Sequence, residues 1–313
     1  MRIAVLGNGA WGAALAAACA RRGHRVRIWG APLREGDART LEEALEGAEI
    51  ILFAVPSHAM REVAGRARAS LPQGAILVSV AKGIEEDTDL RMSEILAAVT
   101  GRAEIAALSG PSFAAEVVRG TPTALVCASA DARVARRVQE ALGGETLRIY
   151  TSDDLAGVEI GGALKNVIAI GAGACAGLGL GDNSRAALIT RGVAELARVG
   201  AALGGQPRTF FGLSGLGDLI LTCASAQSRN YQVGESLGRG LTFAQAMANL
   251  KGTAEGVRTA RSVHQMVEHR KLDAPILRAV YAILHEGLPV AAALRELMAR
   301  EPRPEFPSEM DAA

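Results

Sequence analysis

Apolar positions along the chain fall into two regimes. Up to about residue 150, short runs rich in Val, Ile and Leu recur at 2–6, 25–29, 49–55, 75–80, 104–108, 123–128 and 146–150. Runs this short, bounded by glycine, proline and polar residues, are the pattern of buried strands. Helical spacing fills most of the intervals, up to residue 22 and at 40–47, 61–70, 89–99 and 132–142. Such alternation predicts a parallel sheet covered on both faces, whose ligands lie outside the carboxyl ends of its strands. After Tyr150 the strand pattern stops. The polar run Thr151-Ser152-Asp153-Asp154 can cap a helix. Only helices are expected beyond it, at 155–173, 184–203, 214–222, 231–238, 242–250, 254–269, 274–285 and 289–300. The expected architecture is α/β, with a doubly wound sheet over 1–153 and an all-α substrate-binding and catalytic domain over 154–313. A proline-rich tail, 301–313, has little to bury and is expected to fray.

Composition narrows the function classes. Among 313 residues, 49% are hydrophobic but only 4% aromatic, so the core is aliphatic. A net charge of +1 points to neither nucleic acid nor an anionic membrane as partner. The four cysteines are far apart and lack C-x-x-C spacing, which fits reduced thiols. The first residues enter a strand at once, without the regions of a signal peptide, so a soluble cytoplasmic protein is expected. The five histidines show no ligand spacing, and no metal site is expected.

Candidate chemistry begins at the first turn. Gly7-Asn8-Gly9-Ala10-Trp11-Gly12 lies between a buried strand and an alanine-rich helix, where G-x-G-x-x-G has a physical meaning. Gly7 makes the tight turn, Gly9 lets a pyrophosphate approach the backbone, and Gly12 lets helix and strand pack closely. The sheet half is therefore Rossmann-like, with a phosphate held at the helix start. At the end of the second strand an NAD-selective site would place Asp or Glu. This chain has Gly30-Ala31-Pro32, with Arg34 shortly after. An absent carboxylate removes the repulsion against a 2′-phosphate and Arg34 could pair with one, although Arg34 is equally readable as a solvated loop residue. The balance favours NADP(H), with NAD(H) tolerated.

The sharpest signal in the second half is Lys165-Asn166, set among apolar residues and glycines in EIGGALKNVIAIGAGACAGLGLG. A lysine there either snorkels to water or is buried with a shifted pKa as an acid/base group. Glu159 and Lys165 argue against a membrane span, since each would cost roughly 3 kcal/mol near a bilayer centre. Asp218 follows a glycine-spaced turn and reads as a helix cap or as a site carboxylate. Arg229 opens a helix, where a guanidinium and free N–H groups together suit a phosphate. Glu255 reads most simply as a solvated helix-start acid. Lys82, in Ala81-Lys82-Gly83, is either solvated or lines the cleft at a strand end.

These motifs, in this order, resemble those of the cytosolic NAD(P)-dependent glycerol-3-phosphate dehydrogenases of bacteria. The resemblance rests on GNGAWG at 7–12, VPSH at 55–58, AKG at 81–83, SGPSF at 109–113, GGALKNVIAIGAG at 161–173, ALITRG at 187–192, GLGDLILTC at 215–223 and QSRN at 227–230. It implies interconversion of dihydroxyacetone phosphate and sn-glycerol 3-phosphate for glycerophospholipid synthesis, with Lys165 as general acid/base and Asp218 and Asn166 beside it. Lys82, Gly110 and Ser112 would contact the substrate, and Ser228, Arg229 and Asn230 would hold its phosphate. Ala10, Trp11, Lys82, Ala114, Arg229, Thr253 and Glu255 would meet the dinucleotide. Ala31 and Arg34, read from their place after the second strand, are candidates for its adenosine side. A homodimer is implied as well.

One departure stands out: only about twenty residues join Trp29 to Ile50, where the family carries a longer segment. Two alternatives stand beside this reading. Another two-domain dehydrogenase, acting on a β-hydroxyacid or ketopantoate, would show no preference for a phosphorylated substrate. A non-enzymatic dinucleotide sensor would need only the 7–12 site.

Overall fold

The computed structural model describes residues 1–250, 252–302 and 304–305. The expected fraying of the tail concerns residues of which 303 and 306–313 lie outside this range. Seven strands form one sheet: β1 (Arg2–Leu6), β2 (Arg25–Trp29), β3 (Ile50–Phe53), β4 (Ile76–Ser79), β5 (Ile105–Ser109), β6 (Thr123–Ala128) and β7 (Leu147–Ser152), in the order β2-β1-β3-β4-β5-β6-β7. Between them run α1 (Ala10–Arg21), α2 (Leu41–Leu45), α3 (Met60–Ala67), α4 (Met92–Thr100), α5 (Ala114–Arg119) and α6 (Ala132–Leu142). Alternate residues build the two covered faces. Ile3, Val5, Ile50, Leu52, Ile76 and Val78 pack with α1 and α6, while Ala4, Leu6, Ile51, Phe53 and Leu77 pack with α2, α3 and α4.

The sheet is parallel except at one pair. β6 runs antiparallel to β5, and β7 is again parallel to β6. The intervening α5, absent from the sequence expectation, has only six residues. It rises about 9 Å, well short of the roughly 16 Å that a five-residue strand spans. The chain therefore re-enters the sheet from the edge it has just left.

Beyond Asp153 the chain is helical: α7 (Leu155–Gly177), α8 (Asp182–Ala202), α9 (Asp218–Cys223), α10 (Arg229–Gly238), α11 (Phe243–Ala248), α12 (Glu255–His269), α13 (Pro275–Tyr281) and α14 (Val290–Met298). The expected continuous helices at 214–222 and 274–285 each contain a π-helical turn, Leu213–Gly217 before α9 and Ala282–Glu286 after α13. Asp154 starts α7 from both sides, Oδ1 accepting from Gly157 N (2.8 Å) and Oδ2 from Gln206 N (2.8 Å). By length and composition α7 could cross a bilayer, yet 89% of its most apolar window is buried inside the protein. Other helices enclose it. Its partner α10 comes closest, because Gly173 and Gly177 on α7 meet Gly234 and Gly238 on α10. A Cβ at any of the four would overlap backbone of the opposite helix. Val158 of α7 packs on Ala107, Val126 and Ala128, docking this helix on the sheet.

Glu195 of α8 caps α13 from a distance, its oxygens accepting from Ile276 N (3.0 Å) and Leu277 N (2.8 Å). Burial pushes its carboxyl from the ordinary 4.5 up to about 7, the two N–H groups and Arg198 opposing and Asp273 adding to the rise. A raised folded-state pKa favours the protonated fold. Its stabilising contribution is complete below about 4.5 and lost as pH rises through about 7. We expect thermal unfolding of Glu195→Gln to lack this pH-dependent component, worth about 3 kcal/mol. Unfolding midpoints across that window for both proteins check it; parallel curves would contradict it.

Candidate active site

Strand ends position the sheet's contribution. Leu6, Trp29, Phe53 and Ser79 lie in register at the carboxyl edge. The chain leaves that edge toward Lys82 after β4 and toward Gly110 and Ser112 after β5. The side-chain stem of Lys82 runs against α7 at Gly162. In α9, Asp218 and Thr222 share a face by i, i+4 spacing and meet Lys165 from the middle of α7.

One carboxylate joins the two halves. Lys165 Nζ donates to Asp218 Oδ1 (3.0 Å) and Thr222 Oγ1 (2.7 Å), and Thr222 donates to the Asp218 carbonyl (2.6 Å). Lys82 Nζ donates to Asp218 Oδ2 (2.5 Å) and to the Gly110 carbonyl (3.0 Å), which also accepts from Ser112 Oγ (3.1 Å). Asp218 is 1% exposed and Lys165 5%, so the ion pair is buried. An ammonium has three donors, and among the described residues Lys165 commits two of them. Burial lowers Lys165 from 10.5 to about 8, with Asp218 opposing the fall and Lys82 adding to it. Burial alone would raise the Asp218 carboxyl; the charges of Lys165 and Lys82 outweigh it and hold Asp218 below its ordinary range. Lys165 is thus not the snorkelling lysine of the alternative reading, and Lys82 is not merely solvated.

A second chain of bonds closes a circuit around the cleft. Asn166 Oδ1 accepts from Asn230 Nδ2 (2.8 Å), and Asn230 Oδ1 accepts from Gly256 N (2.9 Å). Next to Gly256, Glu255 accepts from Ser57 Oγ (2.5 Å) and Ser57 N (3.3 Å), and Ser57 packs against Gly83 beside Lys82. Ser228 is buried with Oγ capping α10 at Tyr231 N (3.2 Å). Arg229 is exposed at the start of α10, its guanidinium against Gly252, with no hydrogen-bond partner among the described residues. Thr253 is half-buried in the same stretch.

The other end of the cleft fits a dinucleotide. Gly7 has φ +118°, and a Cβ there would collide with the Ala54 carbonyl; one at Gly12 would collide with the Gly7 carbonyl. Gly9 instead faces open space, with nothing within 4 Å of where a Cβ would stand. No side chain caps the first turn of α1, so its N–H groups remain available to a pyrophosphate. Ala10 is exposed, while Trp11 and Ala114 are half-buried against the α1 face of the sheet. Ala31 and Arg34 lie on an exposed loop after β2, and no hydrogen bond or ion pair joins them to the Lys165 cluster. Two participants fell outside the candidate set. Thr222 was signalled by its spacing from Asp218, whereas Ser57 lay inside the VPSH motif at 55–58 with nothing local to indicate its role, since its partner lies 198 residues away.

The whole sequence agrees with this geometry. The profile of the NAD-dependent glycerol-3-phosphate dehydrogenase N-terminus matches residues 2–35 and 36–135, and that of the C-terminus matches 154–295. A glycerol-3-phosphate dehydrogenase [NAD(P)+] of Acidithiobacillus ferrooxidans is 45% identical, covering 98% of this chain and 96% of its own. One from Listeria innocua is 42% identical, covering 96% of each. The crystal structure of the Coxiella burnetii glycerol-3-phosphate dehydrogenase superposes with a TM-score of 0.90 at 37% identity, over 96% of this chain and 99% of that one. A sheet with an open glycine turn, a helical domain with a buried lysine, and kinship along nearly the full length converge: the chain belongs to the NAD-dependent glycerol-3-phosphate dehydrogenase family.

Proposed function

We propose that the protein interconverts dihydroxyacetone phosphate and sn-glycerol 3-phosphate with NAD(H) or NADP(H). The observation carrying this reading is the buried Lys165, held by Asp218 and Thr222 and tied through that carboxylate to Lys82 of the sheet half. Residues 1–153 hold the dinucleotide and residues 154–313 bring the acid/base group and the phosphate site. When bound, a nicotinamide dinucleotide would supply the hydride that the carbonyl carbon accepts. Lys165 gives its proton to the carbonyl oxygen, becoming a neutral amine as the C–O⁻ becomes C–OH. In the reverse direction the amine takes that proton from the secondary alcohol. Lys82 and Asn166 position the substrate oxygens, with Gly110 and Ser112 shaping the floor below Lys82. Thr253 and Glu255 border the cofactor side.

Arg229 and Asn230, at the start of α10, hold the phosphate, with Ser228 fixing the turn. A charge-assisted contact contributes about 1.5–3 kcal/mol, so Arg229→Ala should raise KM for the phosphorylated ketone roughly 10- to 100-fold. Its kcat should change little. A fall in kcat with KM unchanged would remove Arg229 from the ground-state phosphate site.

The reaction itself is tested by adding dihydroxyacetone phosphate, then unphosphorylated dihydroxyacetone, to enzyme with NADH or NADPH. Consumption only with the phosphorylated ketone supports the proposal, and equal rates would favour the hydroxyacid or ketopantoate alternative. We place the enzyme in the cytoplasm as a homodimer supplying glycerophospholipid synthesis, and sedimentation would test the dimer.

A further inference from the structure

The short connection after β2 lacks the acidic residue expected at the strand end, yet the fold returns one to that place. Asp37 lies eight residues beyond Trp29 in sequence. The loop doubles back on itself, with Ala38 N bonded to Ile28 O (2.7 Å), so Asp37 stands beside the end of β2. Asn8, between Gly7 and Gly9, sends its side chain to the same point. Its Nδ2 donates to Asp37 Oδ2 (2.8 Å) and to the Pro32 carbonyl (2.6 Å). Asn8 is 7% exposed, and a Cβ at Gly30 would strike its amide, so the side chain is fixed in this direction. Asp37 Oδ2 also takes Arg34 N (3.0 Å).

Both hydrogens of the Asn8 amide are committed, and both known bonds to Asp37 fall on Oδ2. Oδ1 has no hydrogen-bond partner, and no lysine or arginine forms an ion pair with the carboxylate among the described residues. An acceptor with a net negative charge is thus mounted next to the glycine turn that receives a pyrophosphate. In dinucleotide-binding sheets this is where the adenosine ribose lies, and a carboxylate there accepts from the 2′-hydroxyl and repels a 2′-phosphate.

We infer that Asp37, steadied by Asn8, is the specificity-determining residue for the cofactor, and that it favours NAD(H) over NADP(H). This rests on the proposed use of a nicotinamide dinucleotide, and it reverses the balance drawn from the missing strand-end carboxylate alone. Arg34 lends its backbone N–H to Asp37, while its exposed guanidinium has no partner among the described residues.

The test uses the full chain and reads equilibrium binding of NADH and NADPH by nicotinamide fluorescence, alongside kcat/KM for each. The wild type should bind NADH at least tenfold more tightly than NADPH. Asp37→Asn keeps an acceptor for Asn8 and for Arg34 N but removes the charge, and should shift the NADH/NADPH affinity ratio toward NADPH by tenfold or more. Arg34→Ala should leave the ratio within about twofold. A wild type preferring NADPH, an Asp37→Asn ratio equal to wild type, or a tenfold loss of NADPH binding in Arg34→Ala would each overturn the inference. Should the ratio shift as expected while no turnover of dihydroxyacetone phosphate occurs, the specificity role stands and the proposed reaction fails.

Discussion

Lys165→Ala should lose turnover of dihydroxyacetone phosphate by roughly 10²- to 10⁴-fold, the range for removing a positioned general acid. Cofactor binding should persist, because among the described residues Lys165 bonds only to Asp218 and Thr222, both in the helical half. Lys165→Met separates charge from volume, since it keeps the buried stem and discards the ammonium; it should be equally inactive. The pH dependence follows from the lowered pKa of about 8. Ketone reduction needs the protonated amine and should decline as pH rises through that value, while alcohol oxidation needs the free amine and should climb. Steady-state rates in both directions, with fluorescence to confirm that NADH still binds, check the assignment. Near-wild-type turnover in either variant would be fatal to it.

Asp218→Asn should damage both fold and chemistry. The carboxylate is shared by Lys165 and Lys82, and only Lys82, 19% exposed along its side chain, can turn toward water. Breaking a buried ion pair from one side typically costs 3–5 kcal/mol. The loss here should fall toward about 3, because Lys165 can shed its proton instead. Among the interactions acting on Lys165, Asp218 does most to raise its pKa against burial, with Cys223 adding to it. The variant should therefore keep Lys165 neutral at lower pH, and the descending limb of ketone reduction should move to the acid side. Chemical denaturation gives the first quantity and a pH–rate profile the second. An unchanged limb would mean that Asp218 does not set the protonation of the lysine.

Much of this site was legible in the sequence because its signals were local. Lys165 stood out against an apolar, glycine-rich helix, and the glycine turn was recognisable from the strand and helix flanking it. The helix α5 was not, since AAEVVR is short and carries two adjacent β-branched valines that suit a strand equally well. Missing it concealed the reversal of β6, which follows from that helix being too short to cross the sheet. Ser57 and Asp37 escaped for another reason. Their roles depend on Glu255 and Asn8, far off along the chain, and no periodicity encodes such meetings. Thr222 lies between these cases: its spacing from Asp218 was visible, but the lysine that gives the pair its purpose comes from another helix.

The glycine seam between α7 and α10 has a consequence for substrate choice. Backbone rests almost directly on backbone, so the helix carrying Lys165 and the helix that begins at Arg229 are held at a close, fixed spacing. On the proposed roles, Lys165 and the phosphate clamp would act as the two jaws of a fixed gauge. A ketone whose phosphate sits one carbon nearer or farther than in dihydroxyacetone phosphate would then engage one jaw only, and the protein would read molecular length with a span set by four hydrogen atoms where side chains would otherwise be.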